Sequence, residues 1–221
     1  ATELYRTRVH TSGKFCCPGG ASFCNATQRM REDRCSGYLN FGSPQLLLGR
    51  NGTTLLSFNQ AERVKHQDDN NWIDIVLSRS RDMGRTWTAL QVLHSENSWK
   101  TRPSQYKSIN QNTAVLDETT GRIHLLLTRN NTLVFVMTSD DDGESWSTPA
   151  AVAAKPGCAS CWIAPSFSAI QLRHGPRAGD LLACFDYSNL PGHEGGGPVE
   201  RSGTYVSSDH GKTWSVGATG V

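Results

Sequence analysis

The chain has 221 residues, with 22 Lys+Arg against 20 Asp+Glu, a formal charge of +2, 21 Gly, 9 Pro and 7 Cys. So balanced a charge argues against nucleic acid as the main partner, because phosphate binding needs a concentrated basic footprint; no apolar run approaches the ~20 residues that span a bilayer. A composition of 37% hydrophobic and 19% charged residues is that of a folded domain, with enough length for one sizeable core or two small ones.

The chain begins at Ala1 without a Met, as a mature product that has lost its targeting segment would. Cys16, Cys17, Cys24 and Cys35 crowd the first segment, and Cys158, Cys161 and Cys184 come later. Cys158 and Cys161 have CxxC spacing, but a matching second pair is missing and no His stands at a ligand spacing, so disulfide bonding is expected rather than a metal or redox centre. The odd total leaves one thiol free or paired outside the chain. Three sequons, at Asn25, Asn51 and Asn130, lie in polar or Gly-containing stretches. With the cysteines they point to a secreted or cell-surface glycoprotein.

Past this segment, strand-like runs come in fours. Pro44–Leu48, Thr54–Phe58, Asp74–Arg79 and Thr88–His94 form the first set. Thr113–Leu116, Arg122–Thr128, Leu133–Thr138 and Pro149–Ala154 form the second. Ser168–Leu172, Asp180–Tyr187, Gly203–Ser207 and a start at Ser215 form the third. Turn signals such as Asn51-Gly52 and Thr120-Gly121 separate the first two runs of a set.

Between the third and fourth runs of every set stands one motif, S-x-D-x-G-x-x-W. Its copies are Ser80, Asp82, Gly84, Trp87; Ser139, Asp141, Gly143, Trp146; and Ser207, Asp209, Gly211, Trp214. The aspartates are 59 and then 68 positions apart (141 − 82; 209 − 141), which marks a structural repeat. The spacing suits a hairpin turn. Asp accepts from turn N–H groups with Ser beside it, Gly supplies positive φ, and Trp returns to the next strand to bury its ring. A calcium loop at Asp140–Asp142 lacks the terminal acidic ligand and the extra carboxylates in the other copies; neither metal nor cofactor is expected. Four antiparallel strands per repeat, without helical periodicity, predict an all-β chain of propeller blades.

Blade topology puts the boxes at one end of the propeller. The strand 2–3 loops and inter-blade links then share the other end, and these longer connections are where a site is expected. There Arg63 precedes Asp68 and Asp69, an anion-binding group beside a candidate acid/base, or else a solvated charge cluster. Trp72, Trp99, Tyr106 and Trp162 could line a sugar pocket or cap the core. His193, Glu194, Glu200 and Arg201 flank a Gly-rich loop, a lid or a surface excursion.

These motifs resemble the sialidase (neuraminidase) superfamily with its Asp-box (BNR-repeat) propellers. Asn51-Gly-Thr-Thr-Leu-Leu-Ser-Phe-Asn-Gln-Ala-Glu-Arg63 looks like the family's G-T-L-L-A-F-x-E-x-R segment. Asp69 through Asp82 is similar to the stretch joining its catalytic aspartate to the first box, and Asn110 through Leu127 to the start of its second blade. The resemblance runs from about Phe41 to the C-terminus, so the expected organisation is a Cys-containing extension or insertion over 1–40 and three blades over 41–221. It implies a six-bladed propeller, of which about three blades are in this chain, continued beyond it or by a partner.

The function the resemblance implies is a secreted exo-α-sialidase, releasing terminal sialic acid with retention. Asp69 matches the acid/base aspartate, with Asp68 as runner-up, and Arg63 an arginine lining the substrate site. The family binds the sugar carboxylate through an arginine triad and uses a tyrosine nucleophile activated by a glutamate. Here Phe41-Gly42-Ser43-Pro44 stands where F/Y-R-I-P would supply the first triad arginine; Arg6, Arg8 or Arg34 would have to replace it. The glutamate, the tyrosine and the other two arginines are expected beyond Val221. The alternative is a catalytically inactive propeller that binds glycans or builds an extracellular assembly. The expected partners are a sialylated or other glycan and the remainder of the propeller.

Overall fold

The computed structural model describes residues 38–63, 71–98, 100–156, 161–188 and 200–220, with backbone alone at 166, 167 and 200. These residues form twelve strands in three antiparallel four-stranded sheets. Blade 1 is β1 (Asn40–Leu48), β2 (Leu55–Glu62), β3 (Ile73–Ser80) and β4 (Gln91–His94). Blade 2 is β5 (Ile109–Asp117), β6 (Arg122–Arg129), β7 (Leu133–Ser139) and β8 (Ala150–Ala151), and blade 3 is β9 (Trp162–Gln171), β10 (Leu181–Ser188), β11 (Glu200–Ser207) and β12 (Ser215–Thr219). Within each sheet the strands lie in sequence order. The first strands are neighbours from blade to blade, β5 lying against both β1 and β9.

The sequence of β6, Arg122-Ile-His-Leu-Leu-Leu-Thr-Arg129, shows why the blades stack. Six consecutive residues, Ile123 to Thr128, are buried, because both faces of the strand are covered. Ile123, Leu125 and Leu127 join Leu56, Phe58, Ile75 and Leu77 of blade 1 in one apolar cluster. Leu126 joins Ile163, Leu181, Phe185 and Tyr205 of blade 3 in another. A strand buried on both faces reads as a continuous apolar run instead of an alternating one. Each fully buried Leu, Ile or Phe contributes about 1.5–3 kcal/mol of transfer free energy, so the seams are the stabilising layers.

The strands run further than their apolar patterns predict. β1 starts at Asn40 instead of Pro44, β5 at Ile109 instead of Thr113, and β9 at Trp162 instead of Ser168. Of the added residues, Gly42, Asn110 and Pro165 are poor strand formers that the neighbouring strand nonetheless pairs, with Gln60, Thr128 and Phe185. Every inner strand also carries a register shift there: Gly42/Gln45 in β1, Asn110/Asn112 in β5, and opposite Ala183/Phe185 in β9. Ser43 (φ 49°) and Gln111 (φ 46°) take up the extra residue in left-handed backbone. Such bulges bend a strand and re-aim its side chains.

The outer strands are shorter than expected, Gln91–His94 and Ala150–Ala151. Trp87 and Trp146 therefore precede them instead of entering them, and both rings are half-buried. Trp214, directly before β12, is buried. No helix among the described residues is long and apolar enough to cross a membrane.

Candidate functional site

Strand register assigns the two ends. Leu55 pairs with both Leu48 and Ser80, so the β1–β2 turn and the first box share one end. Glu62 pairs with Asn40 and Ile73, placing the start of β1 and the β2–β3 loop at the other. Blades 2 and 3 repeat this.

At the first end the three boxes share one hydrogen-bond scheme. Ser80 Oγ donates to Asp82 Oδ1 (2.7 Å) and accepts from the Gly84 N–H (2.7 Å). Asp82 accepts from the Thr86 N–H (2.8 Å) and hydroxyl (2.6 Å). Ser139, Asp141 and Ser145 make the same set, as do Ser207, Asp209 and Thr213. The Thr86 hydroxyl, its N–H and Ser80 hold the Asp82 carboxyl down at about 2. Thr213 and Ser207 do the same for Asp209, also at about 2. These carboxylates are spent on closing the turn, as their spacing predicts.

The boxes also lock the seams. Asp142 Oδ1 accepts from the Arg50 N–H of blade 1 (2.7 Å), and His210 Nδ1 lies 2.9 Å from Asp117 Oδ2 of blade 2. Both residues hold the box position before Gly, in left-handed backbone (φ 52° and 59°). Trp146 packs edge-on to Phe58 of blade 1, and Trp214 edge-on to His124 of blade 2.

The opposite end is built around Asp74. Its Oδ2 accepts from Arg63 Nε (2.9 Å) and the Tyr38 hydroxyl (2.7 Å), and its Oδ1 from Trp72 Nε1 (3.0 Å). Arg63 Nη2 donates back to the Tyr38 oxygen (2.7 Å). The guanidinium lies 4.0 Å from the Tyr38 ring centroid and 5.3 Å from that of Trp72. All four residues are buried. Burial and then the Asp74 charge push the Tyr38 hydroxyl above its ordinary range, keeping it a donor.

Trp72 packs against Tyr106 with ring centroids 5.7 Å apart. The structure therefore brings Arg63, Trp72 and Tyr106 together. Trp162 stands at the same end of blade 3, half-buried, its indole N–H buried without a partner. Asp68, Asp69 and Trp99 lie outside the described residues, as do Asn25, His193, Glu194, Arg6, Arg8, Arg34 and the cysteines of the first segment. Arg201 is half-buried near the start of β11. Asn51 and Asn130 are both exposed, in the β1–β2 and β6–β7 turns. Cys161 is buried and Cys184 is an exposed free thiol.

Sequence reasoning did not single out Tyr38, Asp74 or Gln60. Tyr38 falls within the extension expected over 1–40, but it packs with Ala61 and Val76 in the blade 1 core. Asp74 falls at the start of a predicted strand, and an acidic residue opening an otherwise apolar run, Ile73-Asp-Ile-Val-Leu77, calls for a buried cation. Gln60 packs across Gly42. A Cβ on Gly42 would lie 2.9 Å from Gln60 Nε2, so the place of the motif's arginine side chain is taken.

Comparison with known proteins agrees with this architecture. The family model described as a BNR repeat-like domain matches residues 53–219. A sialidase of Micromonospora viridifaciens is 30% identical over 226 residues, 92% of this chain and 33% of its own. A sialidase of Paraclostridium sordellii is 25% identical over 186 residues, 74% of this chain and 43% of its own. The chain thus spans less than half the length of these relatives. Among solved structures, Hadza microbial sialidase Hz136 superposes with a TM-score of 0.70 at 22% identity, over 84% of this chain and 38% of that one. A leech intramolecular trans-sialidase gives 0.63 at 15% identity, over 80% and 43%; at these identities the structures speak for the fold. The repeated boxes, the three blades and the family match together establish that this chain belongs to the sialidase superfamily of BNR-repeat propellers.

Proposed function

We propose that the chain is the glycan-handling part of a sialidase-type glycoside hydrolase, an exo-α-sialidase acting on terminal sialic acid once further blades complete the propeller. The observation that carries this is the end opposite the boxes, where Arg63 is held between Tyr38 and Trp72 with Tyr106 alongside. Rigid aromatic walls around an oriented guanidinium suit a polar, ring-shaped ligand. Asp69 is assigned as acid/base, with Asp68 the second candidate, and Trp99 and Trp162 as further pocket walls. Exposed Leu46, Leu48 and Ile170 on inner strands β1 and β9 support cover by further blades, from the same product or a partner chain. The exposed sequons at Asn51 and Asn130 support a secreted glycoprotein.

The test is turnover of a fluorogenic sialoside by the complete gene product beside its Asp69→Ala variant. Turnover by wild type and its loss in the variant is the expected result. Full activity in the variant would remove Asp69 from catalysis. No turnover with retained glycan binding would replace the enzyme with a binding propeller.

A further inference from the structure

Asn130, Asn131 and Thr132 form a sequon in the β6–β7 turn, at the end that carries Arg63 and Trp72. The turn is tied to two aromatic walls of the proposed site. On one side Asn130 exchanges two hydrogen bonds with Ser108. Its N–H donates to the Ser108 carbonyl (2.8 Å), and its Oδ1 accepts from the Ser108 N–H (3.1 Å). Ser108 Oγ in turn donates to the Asn71 carbonyl (2.9 Å) and accepts from the Asn71 N–H (3.0 Å), next to Trp72. On the other side the Asn131 carbonyl accepts from the Ile163 N–H (2.6 Å), next to Trp162. Asn130 therefore stands on the rim between Trp72 and Trp162.

Its side chain is oriented for modification. The Ser108 N–H turns the oxygen into the fold, while the residue is exposed and its Nδ2 has no partner among the described residues. Asn51, the sequon at the box end, is closed on itself. Its Oδ1 accepts from the Thr53 and Thr54 N–H groups (2.9 and 2.8 Å), and its Nδ2 donates to Thr54 Oγ1 (2.8 Å). Glycosylation joins Nδ2 to the anomeric carbon of a lipid-linked diphosphate oligosaccharide; one amide proton is lost and the lipid diphosphate leaves. The product is bulky and hydrated, and on this rim it is rooted beside the site instead of on a remote face. We propose that Asn130 carries an N-linked glycan that screens the site end, admitting small sialosides and holding back large sialylated glycoproteins. The proposal rests on the sialidase reading above and adds to it a selection by substrate size.

The test uses the complete gene product from a glycosylating host, assayed on a fluorogenic sialoside and on a sialylated glycoprotein. Thr132→Ala removes the sequon and keeps Asn130 with its Ser108 bonds, whereas Thr132→Ser keeps the sequon. Thr132→Ala is expected to raise kcat/KM for the glycoprotein about threefold or more and to leave the small sialoside unchanged. Thr132→Ser should match wild type on both, and Asn51→Gln, at the box end, should change neither. An unchanged glycoprotein rate in Thr132→Ala, or a loss on both substrates, would overturn the screen. Peptide mass mapping that finds Asn130 unmodified would overturn it too. So would an equal gain in Asn51→Gln, which would assign the effect to glycan mass anywhere on the surface. In all these cases turnover of the small sialoside by wild type leaves the sialidase reading standing. No turnover of either substrate by wild type would overturn that reading and the screen with it.

Discussion

Arg63 Nε donates to Asp74 Oδ2 at 2.9 Å, with side chains only 7% and 1% exposed. The pair joins the first residue after β2 to the second residue of β3, so it fixes the root of the β2–β3 loop. Removing one partner of a buried pair leaves an uncompensated charge. Asp74→Ala should therefore lower stability by about 3–5 kcal/mol, read as a fall in the urea midpoint. A change below about 1 kcal/mol would show that Arg63 finds equal compensation elsewhere.

The box carboxylates predict an acid transition. Asp82 and Asp209 titrate near 2 in the fold, held down by Thr86 and Thr213, against about 3.9 in an unfolded chain. A depressed carboxyl contributes stability that is complete above the unfolded value and is lost as pH falls through the folded one. Thermal midpoints should thus drop between about pH 4 and pH 2. Asp82→Asn and Asp209→Asn together should flatten that slope, and an unchanged slope would contradict the assignment.

His124 gives a second, higher window. It is buried, its two ring nitrogens lack partners, and its ring meets Trp214 edge-on across the blade 2–blade 3 seam. Burial pushes its pKa down to about 4, against an opposing pull from Asp117. The groups facing it, Asp117, Arg122, Asp140 and His210, leave the neutral form favoured. Here a histidine value is depressed, so its stability contribution is present above the unfolded value of about 6.5 and lost as pH falls towards 4. Chemical denaturation at pH 7, 5.5 and 4.5 should show stability declining in wild type and a weaker decline in His124→Phe. Equal declines would exclude His124 as the titrating group.

The same seam predicts an asymmetry between glycines. A Cβ at Gly211 would sit 2.0 Å from His124 Cε1, whereas nothing lies within 4 Å of one at Gly175. Both have positive φ, 76° and 82°, so the backbone cost of Ala is shared. Gly211→Ala should cost about 1–3 kcal/mol more than Gly175→Ala, and His124→Ala should remove much of the excess in a double-mutant cycle. Equal costs would mean that the box does not press on the neighbouring blade.

The blades and boxes were legible because each local signal is self-contained. Ser, Asp and Gly in the box satisfy one another within five residues, and β6 reads as a buried strand from its run of leucines. The site end was less legible for the opposite reason. Gly42, Ser43, Asn110 and Gln111 look like loop, and only the pairing of Gly42 with Gln60 and of Asn110 with Thr128 carries the strands through them, with Ser43 and Gln111 left as bulges. Arg63 could be picked out by family resemblance, but its partners Tyr38 and Asp74 are 25 and 11 residues away. No spacing rule connects them; the sheet does.

The central claim is that glycans are handled at the end opposite the boxes. It is tested most directly by following indole N–H resonances of the isotope-labelled protein during titration with 3′-sialyllactose. Trp72 and Trp162 belong to the site end, and Trp87, Trp146 and Trp214 to the box end. The account predicts saturable shifts at Trp72 and Trp162 with the box indoles unmoved. Shifts confined to Trp87, Trp146 and Trp214 would contradict it.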